Sequence, residues 1–243
     1  METVHHRPGT PCWVELVTPD LAASLRFYST LFGWDGGSAP AGGHGYATFT
    51  LRGGAVAGAA GLPDAPAEAV WHTYFSSADL VATTLAVEAA GGTVVDKPRQ
   101  VMDLGRTAFY TAPDGAGFGG WQPGTRLGYA PTGGLGAPVR FELDPVDPER
   151  ATRFYAGVLG WDGPDAAGPA HITPRDTHRP AELPTQWTPH FAAVNADRAA
   201  AQVVALGGEV LCPPTTPGDG GRFAVLRDPQ GAMFCVTDGT AGR

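Results

Sequence analysis

The sequence predicts an α+β protein built from four strand–helix–strands modules, and three internal repeats carry this prediction. Residues 26–35 read RFYSTLFGWD and residues 153–162 read RFYAGVLGWD, so that six of ten letters match at a constant offset of 127. Residues 71–95 and 190–210 each read as a strand, a helix and a Gly-Gly exit. GRTAFYTAPDGAGF and GRFAVLRDPQGAMF follow at an offset of 116, and each is typical of two strands around a tight turn. Repetition on this scale indicates one structural unit used several times.

The first and third modules open with a strand and a helix. WVELVTPD precedes the first copy of the repeat and RFELDPVD precedes the second, and each starts with the alternation of a half-buried strand. We expect Asp20 or Thr18 to cap the first helix, whereas Pro148 lies near the first helical position of the second. Gly33 and Gly160 suit the C-termini of these helices.

The third module is expected to be eroded. Its stretch 163–186 is rich in proline and has little strand pattern, whereas YATFTLR and AVAGAA at the matching place of the first module read as sheet. Residues 122–137 have the composition of a linker. We therefore predict a flexible tail over 1–10, a first domain over 11–121, a linker over 122–137, a second domain over 138–239 and a short tail over 240–243.

Composition excludes several classes of function. The chain has 243 residues and a net charge of −8, and it has no Lys/Arg cluster of the kind that binds nucleic acid. Its three cysteines form no CxxC pair and provide no disulfide framework. The longest apolar run, AVAGAAGL, is too short to span a bilayer, and the start does not resemble a signal peptide. We expect a cytoplasmic monomer or homodimer that binds neither nucleic acid nor a membrane.

This pattern resembles the vicinal oxygen chelate superfamily, which includes glyoxalase I, bleomycin-resistance proteins and extradiol dioxygenases. The resemblance rests on strand-x-D-helix-FYxxLxGW, on DLVATTLAVEAAGG and on DPQGAMF, and it covers roughly residues 11–239. In that family each βαβββ unit supplies half of a curved sheet, and two units enclose a cleft. The resemblance therefore implies four βαβββ modules paired into two domains, each with a cleft of its own.

The resemblance also implies where metal ligands would stand. In that family a histidine on the first strand of a unit falls seven residues before the aspartate that starts the helix. We count back seven residues from Asp20, Asp79, Asp147 and Asp197. The four positions are Trp13, His72, Arg140 and His190. The last-strand glutamate falls at Gly119 and Cys235. Trp and Gly offer no ligand atom, a guanidinium repels a cation, and a catalytic divalent ion needs about three protein ligands. We predict no metal and no other cofactor.

Strand alternation indicates which side chains enter the two clefts. Glu15 is expected to approach His72, and Arg140 and Glu142 are expected to approach His190. A histidine beside a carboxylate titrates near neutral pH, which suits general acid–base catalysis. The catalytic candidates are Glu15, His72, Glu142 and His190. The ligand-binding candidates are Trp13, Tyr74, Trp121, Arg140 and Cys235.

The sequence leaves two functions open, because both need the same cleft. One is an enzyme that acts on a small organic molecule, such as a secondary metabolite, by isomerisation, cyclisation, elimination or hydration without a metal. The other is a protein that sequesters a drug-like ligand, as the bleomycin-resistance members do; a metal-dependent glyoxalase or dioxygenase ranks below both. The histidines are equally compatible with inert relics of a lost metal site. We expect the ligand in the first domain, where Trp13, Tyr74 and Trp121 provide aromatic walls.

Overall fold

The computed structural model describes residues 5–37, 45–62, 68–130, 134–163, 165–175, 183–216 and 221–238. Within these ranges the chain forms two mixed β-sheets and four α-helices, which confirms the predicted α+β class with its paired modules. None of the described helices has the length and apolar character needed to cross a bilayer.

The first sheet contains seven strands in the order β2-β3-β1-β4-β7-β6-β5. The elements are β1 (Pro11–Thr18), α1 (Leu21–Phe32), β2 (Gly45–Leu51), β3 (Gly54–Gly61), β4 (Val70–Ser76), α2 (Leu80–Ala89), β5 (Thr93–Val101), β6 (Gly105–Thr111) and β7 (Gly117–Pro123). The first strands of the two modules, β1 and β4, run side by side and antiparallel at the centre. The modules therefore meet along this strand pair.

The second sheet contains six strands in the order β11-β12-β13-β10-β8-β9. The elements are β8 (Pro138–Leu143), α3 (Pro148–Leu159), β9 (Ala170–Ile172), β10 (Thr188–Ala192), α4 (Ala196–Ala205), β11 (Glu209–Thr215), β12 (Arg222–Arg227) and β13 (Met233–Asp238). Among the described residues between α3 and β10, the sheet has only the three-residue β9, where the first module has strands of seven and eight residues. The third module is eroded, as predicted.

The predicted helix ends of the first and third modules are confirmed. Asp20 caps α1 by accepting a hydrogen bond from the backbone amide of Ala23 at 2.9 Å. Pro148 opens α3. Gly33 and Gly160 end the two helices with φ of 69° and 72°, in the left-handed region that favours glycine.

Part of the predicted N-terminal tail is packed against both predicted domains and the predicted linker. The backbone amide of Gly9 donates to the carbonyl of Ser76 at 2.8 Å, and the Gly9 carbonyl accepts from the indole of Trp161 at 2.8 Å. His6 Nε2 lies 3.1 Å from the carbonyl of Tyr129. These contacts begin at residue 6, and the division of the chain into domains stays a prediction.

The repeated FYxxLxGW segments lie where the two domains meet. Tyr28 of α1 packs edge-on against Phe234 of the second domain, with 5.7 Å between ring centroids. Tyr155 of α3 makes the reciprocal contact with Phe118 of the first domain at 5.4 Å. Each copy therefore buries its aromatic side chains against the sheet of the other domain, and the repeat packs the two domains together.

The two tyrosines differ in their hydrogen bonds. The buried hydroxyl of Tyr28 donates to Asp228 Oδ2 at 2.9 Å and accepts from the indole of Trp71 at 2.9 Å. Ala112 occupies, in the first domain, the place that Asp228 has in the second. Among the described residues the hydroxyl of Tyr155 donates to no acceptor, and its neighbour is the indole of Trp187.

We expect Tyr28→Phe to lower the free energy of unfolding by about 1–3 kcal/mol, because a buried carboxylate and an indole N–H lose their partner. Tyr155→Phe should lower the free energy of unfolding by less, because no carboxylate loses a partner there. Urea denaturation followed by tryptophan fluorescence measures both. Equal losses for the two variants would contradict this difference.

Candidate functional site

A cavity of about 370 Å³ lies at the central strand pair of the first domain. Its aromatic walls are Trp13 of β1, Tyr46 of β2, Tyr74 of β4 and Trp121 of β7. The two tryptophans are 6% and 8% exposed, so their rings are held in place by the surrounding structure. The strands thus present a preformed, largely apolar space suited to a flat organic molecule.

The carboxyl of Glu15 lies in this cavity between two tyrosine hydroxyls. Its Oε1 accepts a hydrogen bond from the Tyr74 hydroxyl at 3.2 Å, and the Tyr46 hydroxyl is a second hydrogen-bonding neighbour. Burial raises the pKa of Glu15, and the two hydroxyls together with the charge of Arg99 partly offset that rise. A carboxyl with a raised pKa exchanges its proton closer to neutral pH, as general acid–base catalysis requires.

Two glycines make room for the tyrosines. A Cβ at Gly58 would lie 2.1 Å from the hydroxyl oxygen of Tyr46, and a Cβ at Gly119 would lie 2.0 Å from the ring of Tyr74. No larger residue fits at either position without moving a tyrosine. Both glycines therefore help to build the cavity.

The contact expected between Glu15 and His72 is limited to strand pairing. The two residues are register partners across β1 and β4, but no hydrogen bond or ion pair joins them in the described structure. The ring of His72 instead lies edge-on to Phe109, with 4.5 Å between centroids. Burial lowers the pKa of His72 to about 4, so that the imidazole is neutral at pH 7.

The second domain has a smaller cleft of about 260 Å³. Its polar lining includes Glu142, Asp144, Thr173, His190 and two buried thiols, Cys212 and Cys235. Arg140 approaches the carboxylate of Glu142, with its Nε 3.4 Å from Oε2. The structure therefore brings Arg140, Glu142 and His190 together.

The pair of Glu142 and His190 is held on several sides. His190 Nε2 lies 3.1 Å from Glu142 Oε2, its Nδ1 lies 2.8 Å from the hydroxyl of Thr237, and the ring is 2% exposed. Burial by itself would raise the pKa of Glu142, but the hydrogen bond and charge of His190, with Thr173 and Arg140, lower it to about 2. Glu142 is thus ionised at neutral pH and engaged in an ion pair.

One of the positions counted from the sequence needs correction. Helix α4 is capped by Asn195, whose side chain accepts from the amide of Arg198, and not by Asp197. Seven residues before Asn195 lies Thr188, so that Thr188 and not His190 corresponds to His72.

The strand register leads to the same equivalence. Tyr74 pairs with Gly119 in the first sheet, and His190 pairs with Cys235 in the second. His190 is therefore the counterpart of Tyr74. Both domains keep a carboxylate on the first strand, Glu15 or Glu142, and bond it to this position, through a phenol in one domain and an imidazole in the other.

Sequence reasoning missed three residues that line or face the first-domain cavity: Tyr46, Arg99 and Arg126. The guanidinium carbon of Arg126 lies 5.0 Å from the ring centroid of Trp13, and its carbonyl accepts from the indole of Trp121 at 2.9 Å. Tyr46 lies in a predicted strand, where alternation could have indicated its face. Arg126 falls in the predicted linker, where no pattern signals a contact.

The chain belongs to the glyoxalase/bleomycin resistance protein/dioxygenase superfamily. Residues 11–118 match that superfamily, and residues 140–237 match the glyoxalase-like domain. The protein named "Putative glyoxylase CFP32" of Mycobacterium tuberculosis is 36% identical, over 95% of each chain. The anthracycline biosynthesis protein DauV of Streptomyces sp. strain C5 is 35% identical, over 95% of this chain and 94% of its own.

Solved structures share the fold. The Mn(II)-bound glyoxalase of Novosphingobium aromaticivorans superimposes with a TM-score of 0.63 at 18% identity, over 96% of this chain and 82% of that one. The 2,3-dioxygenase LapB of Pseudomonas sp. KL28 gives a TM-score of 0.63 at 14% identity, over 97% and 94%.

The residues at the family's metal positions do not fit a transition metal. The first domain has Trp13, His72 and Gly119 there, and the second has Arg140, Thr188 and Cys235. One imidazole or one thiol per domain falls short of the usual three ligands, and the guanidinium repels a cation. The ring of Tyr74 fills the space above Gly119, where a ligand side chain would project. In the described part of the chain, no three His, Cys, Asp or Glu side chains converge.

Proposed function

We propose that the protein binds a flat, largely apolar organic molecule in the first-domain cavity and acts on it as a metal-independent acid–base enzyme of the isomerase, cyclase or lyase type. The observation that carries the proposal is Glu15, a partly buried carboxyl with a raised pKa, set between two tyrosine hydroxyls at an aromatic cavity. Among the four predicted acid–base residues, Glu15 is the one we propose as catalytic.

The relatives support a substrate of this shape. Two of them are named as anthracycline biosynthesis proteins, and anthracyclines are flat molecules of fused rings. We propose that rings of that kind lie against Trp13 and Trp121 in the cavity, and burying them removes apolar area from water at about 25 cal/mol per Å². We therefore propose a fused-ring secondary metabolite as the class of substrate for this chain.

The chemistry needs a proton to leave carbon. The ionised carboxylate of Glu15 takes a proton from a carbon next to a carbonyl, and the electron pair of the broken C–H bond moves into an enolate. Return of the proton at another position gives an isomer, and loss of a leaving group instead gives elimination. The Tyr74 hydroxyl, bonded to Glu15 at 3.2 Å, holds the carboxyl in one orientation.

The second domain has a different role in this proposal. Glu142 and His190 lie 3.1 Å apart, and we propose that they stabilise the sheet together with Arg140 and do not move protons during turnover. His72, neutral and packed on Phe109, is proposed as a packing residue. Cys235 is buried among apolar side chains and is proposed to fill the core of its domain.

Deuterium exchange tests the proposal. A panel of fused-ring aromatic ketones, beginning with 1-tetralone, is incubated with the protein in D₂O, and loss of the signal of the hydrogens next to the carbonyl is followed by NMR. We expect at least about tenfold faster exchange for one or more ketones than in buffer, unchanged by a metal chelator. If the chelator abolishes the exchange and added Mn²⁺ restores it, the claim of metal independence is contradicted. Saturable binding without exchange would favour the alternative, a protein that sequesters its ligand.

A further inference from the structure

We infer that the first-domain cavity selects an anionic ligand, a flat ring system bearing a carboxylate or an acidic phenol that faces Arg99 and Arg126. The inference rests on the proposed function, because it names the charge of the molecule that fills the same cavity. Its observations are independent of the catalytic role of Glu15.

Two arginines line this cavity, whose other polar lining residues are Glu15, Thr107 and the two tyrosines. Neither Arg99 nor Arg126 forms an ion pair with any described residue. Nη1 of Arg126 is buried and has no hydrogen-bond acceptor within the described structure. A buried donor without an acceptor costs free energy, and an oxygen of a bound ligand would remove that cost.

The guanidinium of Arg126 stacks on one aromatic wall of the cavity. Its guanidinium carbon is 5.0 Å from the centroid of the Trp13 ring, a cation–π distance. The backbone carbonyl of the same residue accepts from the indole of Trp121. Arg126 is thus tied to both tryptophan walls, and a ligand that reaches its guanidinium also reaches the aromatic surface.

The balance of charge in the cavity favours an anion. The groups that face Glu15 are Tyr46 from β2, Tyr74 and His72 from β4, and Arg99 from β5, with Arg126 beside Tyr46. Burial keeps His72 neutral at pH 7 and raises the pKa of Glu15. Two permanent cations therefore face at most one carboxylate. A planar guanidinium and a carboxylate or phenolate form strong charge-assisted hydrogen bonds, which a neutral amide matches poorly.

Two probes of matched shape separate charge from stacking. Anthraquinone-2-carboxylate and anthraquinone-2-carboxamide carry the same rings, and only the first is anionic at pH 7. We expect the carboxylate to bind the wild-type protein at least about tenfold more tightly by titration calorimetry, and added NaCl to reduce this preference. Arg126→Gln should reduce the preference to about threefold or less, and Arg99→Gln should reduce it in the same direction.

Arg153→Gln is the matched control. Arg153 lies on α3, its side chain is 71% exposed, and it pairs with Glu149, away from the cavity. The variant removes the same unit of charge and should keep the full preference. Reduction of the preference by all three variants alike would show a general effect of net charge and overturn the inference.

The remaining outcomes distinguish this inference from the proposed function. Equal affinity of the wild-type protein for the two probes, or no binding of the carboxylate, overturns the inference. If the wild-type protein binds both probes equally and Trp13→Ala weakens the binding of both, the aromatic site of the proposed function stands. Binding of both probes by Trp13→Ala as tightly as by the wild type removes the cavity from the account and overturns both proposals.

Discussion

Glu15→Gln should slow ligand deuterium exchange to the rate in buffer, a loss of at least about tenfold, while changing ligand affinity by about threefold or less. Glutamine keeps the shape of the side chain and can still accept from the Tyr74 hydroxyl, but it cannot take up a proton at any working pH. The wild-type exchange rate should rise with pH through the raised pKa of Glu15, above the usual range for glutamic acid, because the ionised form is the base. The variant should lack this rise.

NMR exchange rates and titration calorimetry on the same ketone give the two quantities. Glu88→Gln is the control. Glu88 is exposed at the end of α2, so this substitution removes the same charge outside the cavity. The control should exchange at the wild-type rate. Full activity in Glu15→Gln, or an equal loss in both variants, would exclude Glu15 as the base.

Trp13→Ala should weaken binding of anthraquinone-2-carboxamide by at least about tenfold, which corresponds to roughly 1.4 kcal/mol. The indole is 6% exposed at the wall of the cavity, and its removal takes away a flat surface on which the rings stack. The neutral amide is the suitable probe, because its binding does not depend on the charge of Arg126, which also rests on Trp13. Trp121→Ala should act in the same direction.

His190→Ala tests the alternative location in the second domain. It should leave the affinity of the amide nearly unchanged, even if loss of the buried pair with Glu142 lowers the melting temperature. Thermal unfolding of each variant shows whether it is folded at the temperature of the titration. Loss of binding in folded His190→Ala, with both tryptophan variants unaffected, would place the site in the second domain.

The repeats predicted the four modules, because each copy carries its strand alternation and its helix ends, and the resemblance to the superfamily predicted their pairing into two domains. Asp20, Pro148, Gly33 and Gly160 all perform the roles predicted for them. The erosion of the third module was likewise visible, since its prolines cannot donate to a sheet. These are local properties of the chain, which a single sequence contains.

The error at α4 arose where two residues compete for one role. Asn195 and Asp197 are both good helix caps, and composition does not choose between them. In the structure, Asp197 lies in the first turn and binds Arg222 at 2.8 Å, while Asn195 caps the helix. Because the count started at Asp197, two residues beyond the true cap, His190 was wrongly taken as the counterpart of His72.

The candidate site could be predicted only in part. Alternation placed Glu15, Tyr74 and Trp13 on one face, and the structure gathers them around one cavity. Alternation fixes the face of a side chain and not its hydrogen bonds, so Glu15 bonds Tyr74 where a contact with His72 was expected. Arg126 reaches the cavity from an irregular segment, and contacts of that kind depend on the folded chain as a whole.

A crystal structure of the protein with bound anthraquinone-2-carboxamide tests the central claim most directly, because it locates the ligand without reference to turnover. We expect the rings to lie against Trp13 and Trp121 in the first-domain cavity, in contact with the carboxyl of Glu15. Rings found in the second-domain cleft against Glu142 and His190, with the first-domain cavity filled by solvent, would contradict the account.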